Sequence, residues 1–236
     1  MIIEILYPSS CNLFGDRGNV LYLKRNLPEA AFIETGLNDE PYFVKNEVDL
    51  IYLGPMSEAM QMKVRDRLTP FKERIKHLID SDVFFLLTGN AVEVFGKEVV
   101  DKDGSVFKGL GLLDINCQRD MFKRKNNLFK GKFEDIAVVG FQSQFTVTES
   151  REKGLFKKIY GLGLNLLSNY EGVRKNNLFA TYLIGPILVL NPYFTKKLLS
   201  LLKVDKETLY LEDEVIKAYR MRVEDFDRVA RKQRLS

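Results

Sequence analysis

Short, largely apolar runs punctuate the first part of the chain: IIEILY at 2–7, AFIET at 31–35, VDLIYLG at 48–54 and DVFFLLTG at 82–89. Their length and their turn-residue endings predict strands, and the continuous ones predict burial on both faces. Between them, VLYLKRNL places apolar residues at helical spacing, predicting a helix over 18–26. SEAMQMKVRDRLTPFKERIKHLIDS, 57–81, predicts a long helix that Pro70 kinks or breaks, because proline lacks the N–H the helix needs. Strand and helix thus alternate, which predicts an α/β fold with a parallel sheet and helices on both faces.

The pattern then changes. Asp103-Gly104 sits between two strand-like runs in GKEVVDKDGSVFKGLG, a hairpin signal. FEDIAVVGFQSQFTVTES, LFKKIYGLG, EGVRKNN and LFATYLIG read as further short strands, so the second half is richer in β structure. Two helices close the chain, NPYFTKKLLSLL with Asn191 as N-cap and Pro192 at its first position, and the segment 206–233. With no repeat or low-complexity linker, the expectation is one domain over 1–236, of which about 203–236 form a helical extension.

Composition narrows the function classes. Of 236 residues 45% are hydrophobic and 17 are Phe, enough for a real core, yet no apolar run is long enough for a membrane span. The net charge of +4 gathers in Lys123-Arg124-Lys125, Lys130, Lys132 and the tail RVARKQRLS. These lysines and arginines are not interleaved with aromatics, so solvated faces are expected and nucleic acid is not. Two cysteines, Cys11 and Cys117, make no disulfide framework, and MIIEILYPSS lacks a basic leader; a cytoplasmic protein is expected. The single histidine, His77, falls in the last turns of an amphipathic helix and reads as a surface residue.

Three turns carry candidate chemistry. Gly15 and Gly18 flank Asp16-Arg17 without the spacing of a phosphate cradle, so Asp16 reads as a helix N-cap. Gly54-Pro55-Met56-Ser57 ends a strand, where backbone N–H groups can serve an anion or merely turn the chain. Thr88-Gly89-Asn90 joins a buried strand to a short apolar helix, the form of turn that holds up a nucleophile in α/β enzymes. The acidic groups Asp101 with Asp103, and Glu212-Asp213-Glu214, read as solvated and lack metal-ligand spacing; no metal or other cofactor is expected.

Longer strings carry a resemblance. FGDRGNVLYLKRNL, VDLIYLG, VFFLLTGNAVEVFG, GLGLLDI, AVVGFQSQF and EGVRKNNLFATYLIGPILVLNP resemble, in order and spacing, the class I glutamine amidotransferases of the cobyric acid synthase (CobB/CobQ) type, above all the GatD-type subunits of lipid II isoglutaminyl synthase. The likeness runs from the first strand to about Pro192. It implies the three-layer, flavodoxin-like class I glutaminase fold with a mainly parallel central sheet. It also implies an activity, hydrolysis of glutamine and delivery of the ammonia to a Mur-ligase-like (MurT-type) partner. That chemistry uses a Cys nucleophile, a His that activates it and protonates the departing ammonia, and backbone N–H groups for the oxyanion.

Carried over position by position, the resemblance puts Gly89 where the family has its Cys, followed by Asn90-Ala91 in place of two glycines. The family His falls on Ile184 within Tyr182-Leu183-Ile184-Gly185-Pro186, and an Asn-His pair on Ser143-Gln144. An arginine for the glutamine substrate falls near Lys123-Arg124, and the glycine-rich turn after the third strand has become Gly54-Pro55-Met56-Ser57. The expectation is a pseudoenzyme that docks a partner or binds a ligand in a pocket built from Gly54, Thr88, Gly89, Asn90, Arg124, Gln142 and Ile184. The alternative is re-tooled chemistry at the same crevice using Thr88, Asp16 or Arg17; a dyad of Cys11 and His77 is not expected.

Overall fold

The computed structural model describes residues 1–81 and 83–234; Asp82, the first residue of the fourth predicted strand, and 235–236 of the basic tail lie outside the described residues. The first half alternates as the pattern predicts: β1 (Ile2–Leu6), α1 (Arg17–Asn26), β2 (Ala31–Thr35), β3 (Leu50–Leu53), α2 (Glu58–Leu68), α3 (Lys72–Asp80), β4 (Phe84–Thr88) and α4 (Ala91–Phe95). Pro70 does interrupt the long helix: a 3-10 turn, Thr69–Phe71, separates α2 from α3. Ser57 caps α2, its side chain accepting the Met60 N–H.

The second half holds β5 (Glu98–Asp101), β6 (Val106–Lys108), β7 (Ile115–Arg119), β8 (Lys125–Phe133), β9 (Ile136–Gln144), β10 (Thr146–Ser150), β11 (Lys153–Tyr160), β12 (Tyr170–Lys175), β13 (Leu178–Thr181) and β14 (Leu183–Ile184). It closes with α5 (Ile187–Leu190), α6 (Pro192–Leu201) and α7 (Glu212–Arg234). Ten strands form one sheet in the order β14-β9-β8-β11-β12-β13-β4-β3-β1-β2, and β10-β7-β5-β6 form a second.

The large sheet is parallel only from β13 to β2; from β14 to β13 every neighbouring pair is antiparallel. The sheet is therefore mixed rather than mainly parallel as expected, and two of its five antiparallel pairs follow from tight links. Glu134-Asp135 joins β8 to β9 and Asn176-Asn177 joins β12 to β13, and chain turned back so sharply must pair antiparallel. The string 133–150 likewise takes in the end of β8, then β9 and β10, which lie in different sheets and are separated at Phe145.

Side chains alternate across the parallel strands. On β4, Phe85 and Leu87 join one core cluster with α2, α3, α4 and the small sheet, whereas Phe84 and Leu86 join another with α1, α5 and α6. Helices therefore cover both faces, giving three layers. Full burial of each such side chain stabilises by about 1.5–3 kcal/mol. No helix among the described residues is long and apolar enough to cross a membrane.

Asn191 opens α6 by position, but its side chain makes no cap bond. Instead it lies against β9, accepting the Val139 N–H at 2.8 Å and donating to Val139 O at 2.9 Å, as a neighbouring strand would. Farther along, α7 crosses the same strand, with Tyr219 Oη donating to Ala137 O at 2.8 Å. The amide and the helix together close the edge of β9 that two-residue β14 leaves open.

Candidate functional site

The carboxyl ends of β1, β3, β4 and β13 lie side by side, with Leu6, Leu53, Leu87 and Ala180 in register. Ligands of open α/β sheets bind at this end. Directly after β4 the chain turns at Gly89 with φ +58°, a left-handed conformation, and enters α4. The expected strand–turn–helix elbow is thus present. It opens on a cavity of about 250 Å³ whose wall includes Phe14, Pro55, Gly89, Asn90, Arg124 and Ile184.

Glycine is fitted to its place. A Cβ at Gly89 stands 2.6 Å from the Pro55 Cβ and 3.4 Å from a methyl of Ile184. The neighbouring loop has little to offer an anion: Pro55 has no N–H, and the Met56 N–H donates to Asn90 Oδ1 at 2.9 Å. Asn90 Nδ2 in turn donates to Met56 O at 2.7 Å. One side-chain amide thus occupies both polar groups of the Met56 residue and ties the β3 turn to the β4 turn.

The opposite wall is polar and, Arg124 apart, includes no residue singled out as a pocket candidate from the sequence. Glu93 of α4 is buried, accepting from Gln61 Nε2 and Thr146 Oγ1 at 2.8 Å each. Burial raises its carboxyl above the usual range, against the pull of those two donors. Gln61 Oε1 accepts from Arg119 Nη1 at 3.0 Å, and Arg119 makes a two-point pair with Asp101 at 2.7 Å. Asp101 is therefore not solvated as expected; β5 and β7 run parallel and set it opposite Arg119. The signal for Glu93 was available: it is one carboxylate inside AVEVF, a helix buried along its whole length. Arg124 stacks over Phe145 at 4.4 Å and donates to Ser143 Oγ at 3.2 Å.

Of the seven pocket candidates, Gly89, Asn90, Arg124 and Ile184 line the cavity, and so do Ser143 and Gln144. Gly54, Thr88 and Gln142 do not. A Cβ on Gly54 would run into Cys11 O and Asp16 Oδ2, so the glycine permits close packing beneath the turn. Thr88 is fully buried and donates to Asp16 Oδ2 at 2.9 Å, while Gln142 Oε1 accepts from Asn127 at 3.1 Å.

Asp16 holds the position of an N-cap but makes no cap bond. Its carboxyl is buried under the elbow, taking hydrogen bonds from Tyr52 Oη, Thr88 Oγ1 and Asn19 Nδ2. Burial pushes it up to about 7 even though all three donors pull it down. Asn19 Oδ1 accepts the Leu188 N–H at 2.9 Å, carrying this network from the first loop to α5. Glu171 plays a similar part: buried and pushed up to about 7, it accepts from Thr181 Oγ1 at 2.6 Å and Tyr182 N at 2.7 Å.

Neither thiol faces the elbow cavity. Cys11 is buried with its Sγ against Met56 Sδ at 3.9 Å, and Cys117 is buried against Thr148 and Tyr182. Burial pushes both up to about 12. His77 is exposed on the last turn of α3, beside Ser81 at 3.4 Å. Cys11 and His77 thus have different neighbours and form no dyad. Among the described residues no three His, Cys, Asp or Glu side chains group as metal ligands.

A mixed sheet covered on both faces, with a strand–turn–helix elbow at its carboxyl end, fits the class I amidotransferase architecture. Residues 2–191 match the CobB/CobQ-like glutamine amidotransferase domain, and the chain belongs to that family. Within it, the chain is 28% identical over 210 residues to the GatD subunit of the glutamine-hydrolysing lipid II isoglutaminyl synthase of Streptococcus pneumoniae (strain ATCC BAA-255 / R6), covering 84% of this chain and 78% of that one. The Staphylococcus aureus (strain N315) GatD subunit is 28% identical over 193 residues, covering 80% and 78%. The fold is also that of a crystallised glutamine amidotransferase from Thermotoga maritima, with a TM-score of 0.56 at 12% identity over 94% of this chain and 92% of that one. A second glutamine amidotransferase crystal structure gives a TM-score of 0.54 at 13% identity, over 85% and 99%.

Proposed function

We propose that this chain is a catalytically degenerate, GatD-like amidotransferase subunit. It keeps the glutaminase scaffold without thiol-based hydrolysis and works in the cytoplasm by docking a Mur-ligase-like (MurT-type) protein that amidates a peptidoglycan precursor, or by holding a small ligand at the elbow. The observation that carries this reading is the pairing across the cavity of Gly89, packed against Pro55, with Ile184. Glycine offers no nucleophile and isoleucine transfers no proton; because nucleophile and base act as a unit, loss of either removes most of the acceleration. Closure of the Met56 N–H by Asn90 adds to it, leaving that donor unable to hold an oxyanion. The two relatives are named as glutamine-hydrolysing subunits of a synthase, which supports a ligase-type partner for this chain.

Re-tooled chemistry through Thr88, Asp16 or Arg17 finds less support. Thr88 and Asp16 bond to one another below the turn, and Arg17 is exposed outside the cavity. The test is ammonia release from glutamine by the purified protein, together with intact-mass measurement after exposure to a glutamine-analogue electrophile. No ammonia and no adduct are expected. Turnover that disappears in Cys11→Ser or His77→Ala would refute the reading.

A further inference from the structure

The turn between β7 and β8 holds an apolar tip that the fold does not use. Phe122 is 92% exposed and Met121 beside it 44%. The turn is nonetheless ordered by its own hydrogen bonds: Asp120 Oδ1 accepts the Phe122 N–H at 3.1 Å, and the Lys123 N–H reaches Asp120 O at 3.0 Å. One exposed aromatic is ordinary on a protein surface. This one has a charged setting. A cleft of about 370 Å³ opens at its base, with Lys102, Lys123 and Lys125 in its wall. Its two carboxylates are already answered, Asp120 by Lys102 at 3.3 Å and Asp101 by Arg119 at 2.7 Å. Among the described residues neither Lys123 nor Lys125 forms a close ion pair, although Lys123 also acts on Asp120 at longer range; with Lys102, Arg119, Lys123 and Lys125 facing only Asp101 and Asp120, the cleft carries net positive charge beneath an aromatic ring.

A second apolar tip lies in the loop that joins β11 to β12 of the large sheet. Leu166 and Leu167 are 83% and 92% exposed. Their loop is pinned to β10, where the Thr148 N–H donates to Leu164 O at 2.8 Å and Asn165 Nδ2 donates to Thr148 O at 2.8 Å. Asn165 Oδ1 also accepts the Leu167 and Ser168 N–H groups, fixing the bend. β10 pairs directly with β7, from whose end the Phe122 turn departs.

We propose that the Phe122 turn is a peripheral membrane contact. The ring enters the boundary between headgroups and acyl chains of an anionic bilayer, Lys123 and Lys125 face the lipid phosphates, and the Leu166-Leu167 loop supplies a second apolar foothold. Phe122 and Met121 suit a protein interface as well as a bilayer; the lysines decide for a lipid surface, because lysine is depleted from protein interfaces and is drawn to anionic headgroups. One small apolar anchor binds a bilayer weakly; binding grows with buried apolar area and with attraction to anionic lipid, and two tips and a basic cleft supply both.

The experiment is co-sedimentation of the full chain with sucrose-loaded vesicles of phosphatidylglycerol and phosphatidylcholine, against phosphatidylcholine alone. Binding to the anionic vesicles that weakens with salt is expected. Lys123→Gln and Lys125→Gln should each lower the partition coefficient about fivefold, the effect of about 1 kcal/mol per lysine at an anionic surface. Phe122→Ser should lower it about tenfold or more, with an unchanged circular dichroism spectrum. Equal partition to neutral vesicles, no partition of the wild type, or wild-type binding by Phe122→Ser would each overturn the proposal. So would displacement by millimolar inorganic phosphate at constant ionic strength, the mark of a free-phosphate site.

Discussion

Gly89 and Pro55 exclude each other's substituents: a Cβ on Gly89 stands 2.6 Å from the Cβ of Pro55. The φ of +58° adds a conformational cost for any other residue at the turn. Gly89→Cys should therefore destabilise the protein, by about 1–2 kcal/mol for the backbone and about 1–3 kcal/mol for overpacking. It should also release no ammonia from glutamine, since Ile184 still faces it. Urea denaturation and a coupled ammonia assay read the two effects. Wild-type stability for the variant would show that Pro55 yields freely, and the fit argued for glycine would then be wrong.

The native thiols are the next test. With Cys11 and Cys117 buried and pushed up to about 12, both are almost wholly protonated at pH 8. An ordinary cysteine, at about 8.5, is partly thiolate there. Labelling of the folded protein by a thiol-reactive disulfide should be at least ~100-fold slower than for a free cysteine, and urea should expose two reactive thiols. Rapid labelling of one thiol in the native state would reveal an accessible thiolate and reopen thiol chemistry.

Asp16 makes stability depend on pH in an unusual direction for a carboxylate. Its pKa rises from an ordinary 3.8 to about 7 on folding. Its contribution to stability is thus complete below about pH 4. It is lost as pH climbs through about 7, where a charge must be carried in the interior. Glu171, also pushed up to about 7, has the same sign. Asp16→Asn should flatten the fall in stability between pH 5 and pH 8 by roughly 2–4 kcal/mol, whatever its effect at a single pH. Equal slopes for variant and wild type, from urea midpoints across that range, would place the Asp16 titration elsewhere.

What could be read in advance follows from the range of the interactions. The strands at 2–6, 50–53 and 84–88 and the elbow after Thr88 are local patterns, apolar runs ending in turns, and they were legible. β7 and β8 were not, because INCQR and KNNLFKGKF mix polar and apolar residues and become strands only through distant partners. Asp16 and Asn191 stand at helix starts as the sequence predicts, yet their side chains bond elsewhere: to β3 and β4 in one case, to β9 in the other. A cap needs only neighbours in sequence, whereas these bonds need the assembled sheet. The same holds for Arg119, whose Asp101 and Gln61 partners arrive from β5 and α2.

Asn191 gives the sharpest stability prediction. Its amide is fully buried and makes three bonds, two to Val139 of β9 and one from Nδ2 to Ile187 O at 2.9 Å. Asn191→Ala leaves the Val139 N–H and O without that partner beside α6, and an unpaired buried group costs about 1–3 kcal/mol. The loss should be on the order of 2–4 kcal/mol, larger than removal of an ordinary helix cap at about 1 kcal/mol. Asn191→Asp discriminates further. The carboxylate can still accept the Val139 N–H but cannot donate to Val139 O or Ile187 O, and it brings a charge into the interior. It should be at least as destabilising as alanine near neutral pH, and should recover as the carboxyl is protonated in acid. Hydrogen exchange at the Val139 amide locates the damage: faster exchange there in both variants is expected. A cost near 1 kcal/mol, with Val139 still protected, would mean that the strand edge is closed by α7 alone.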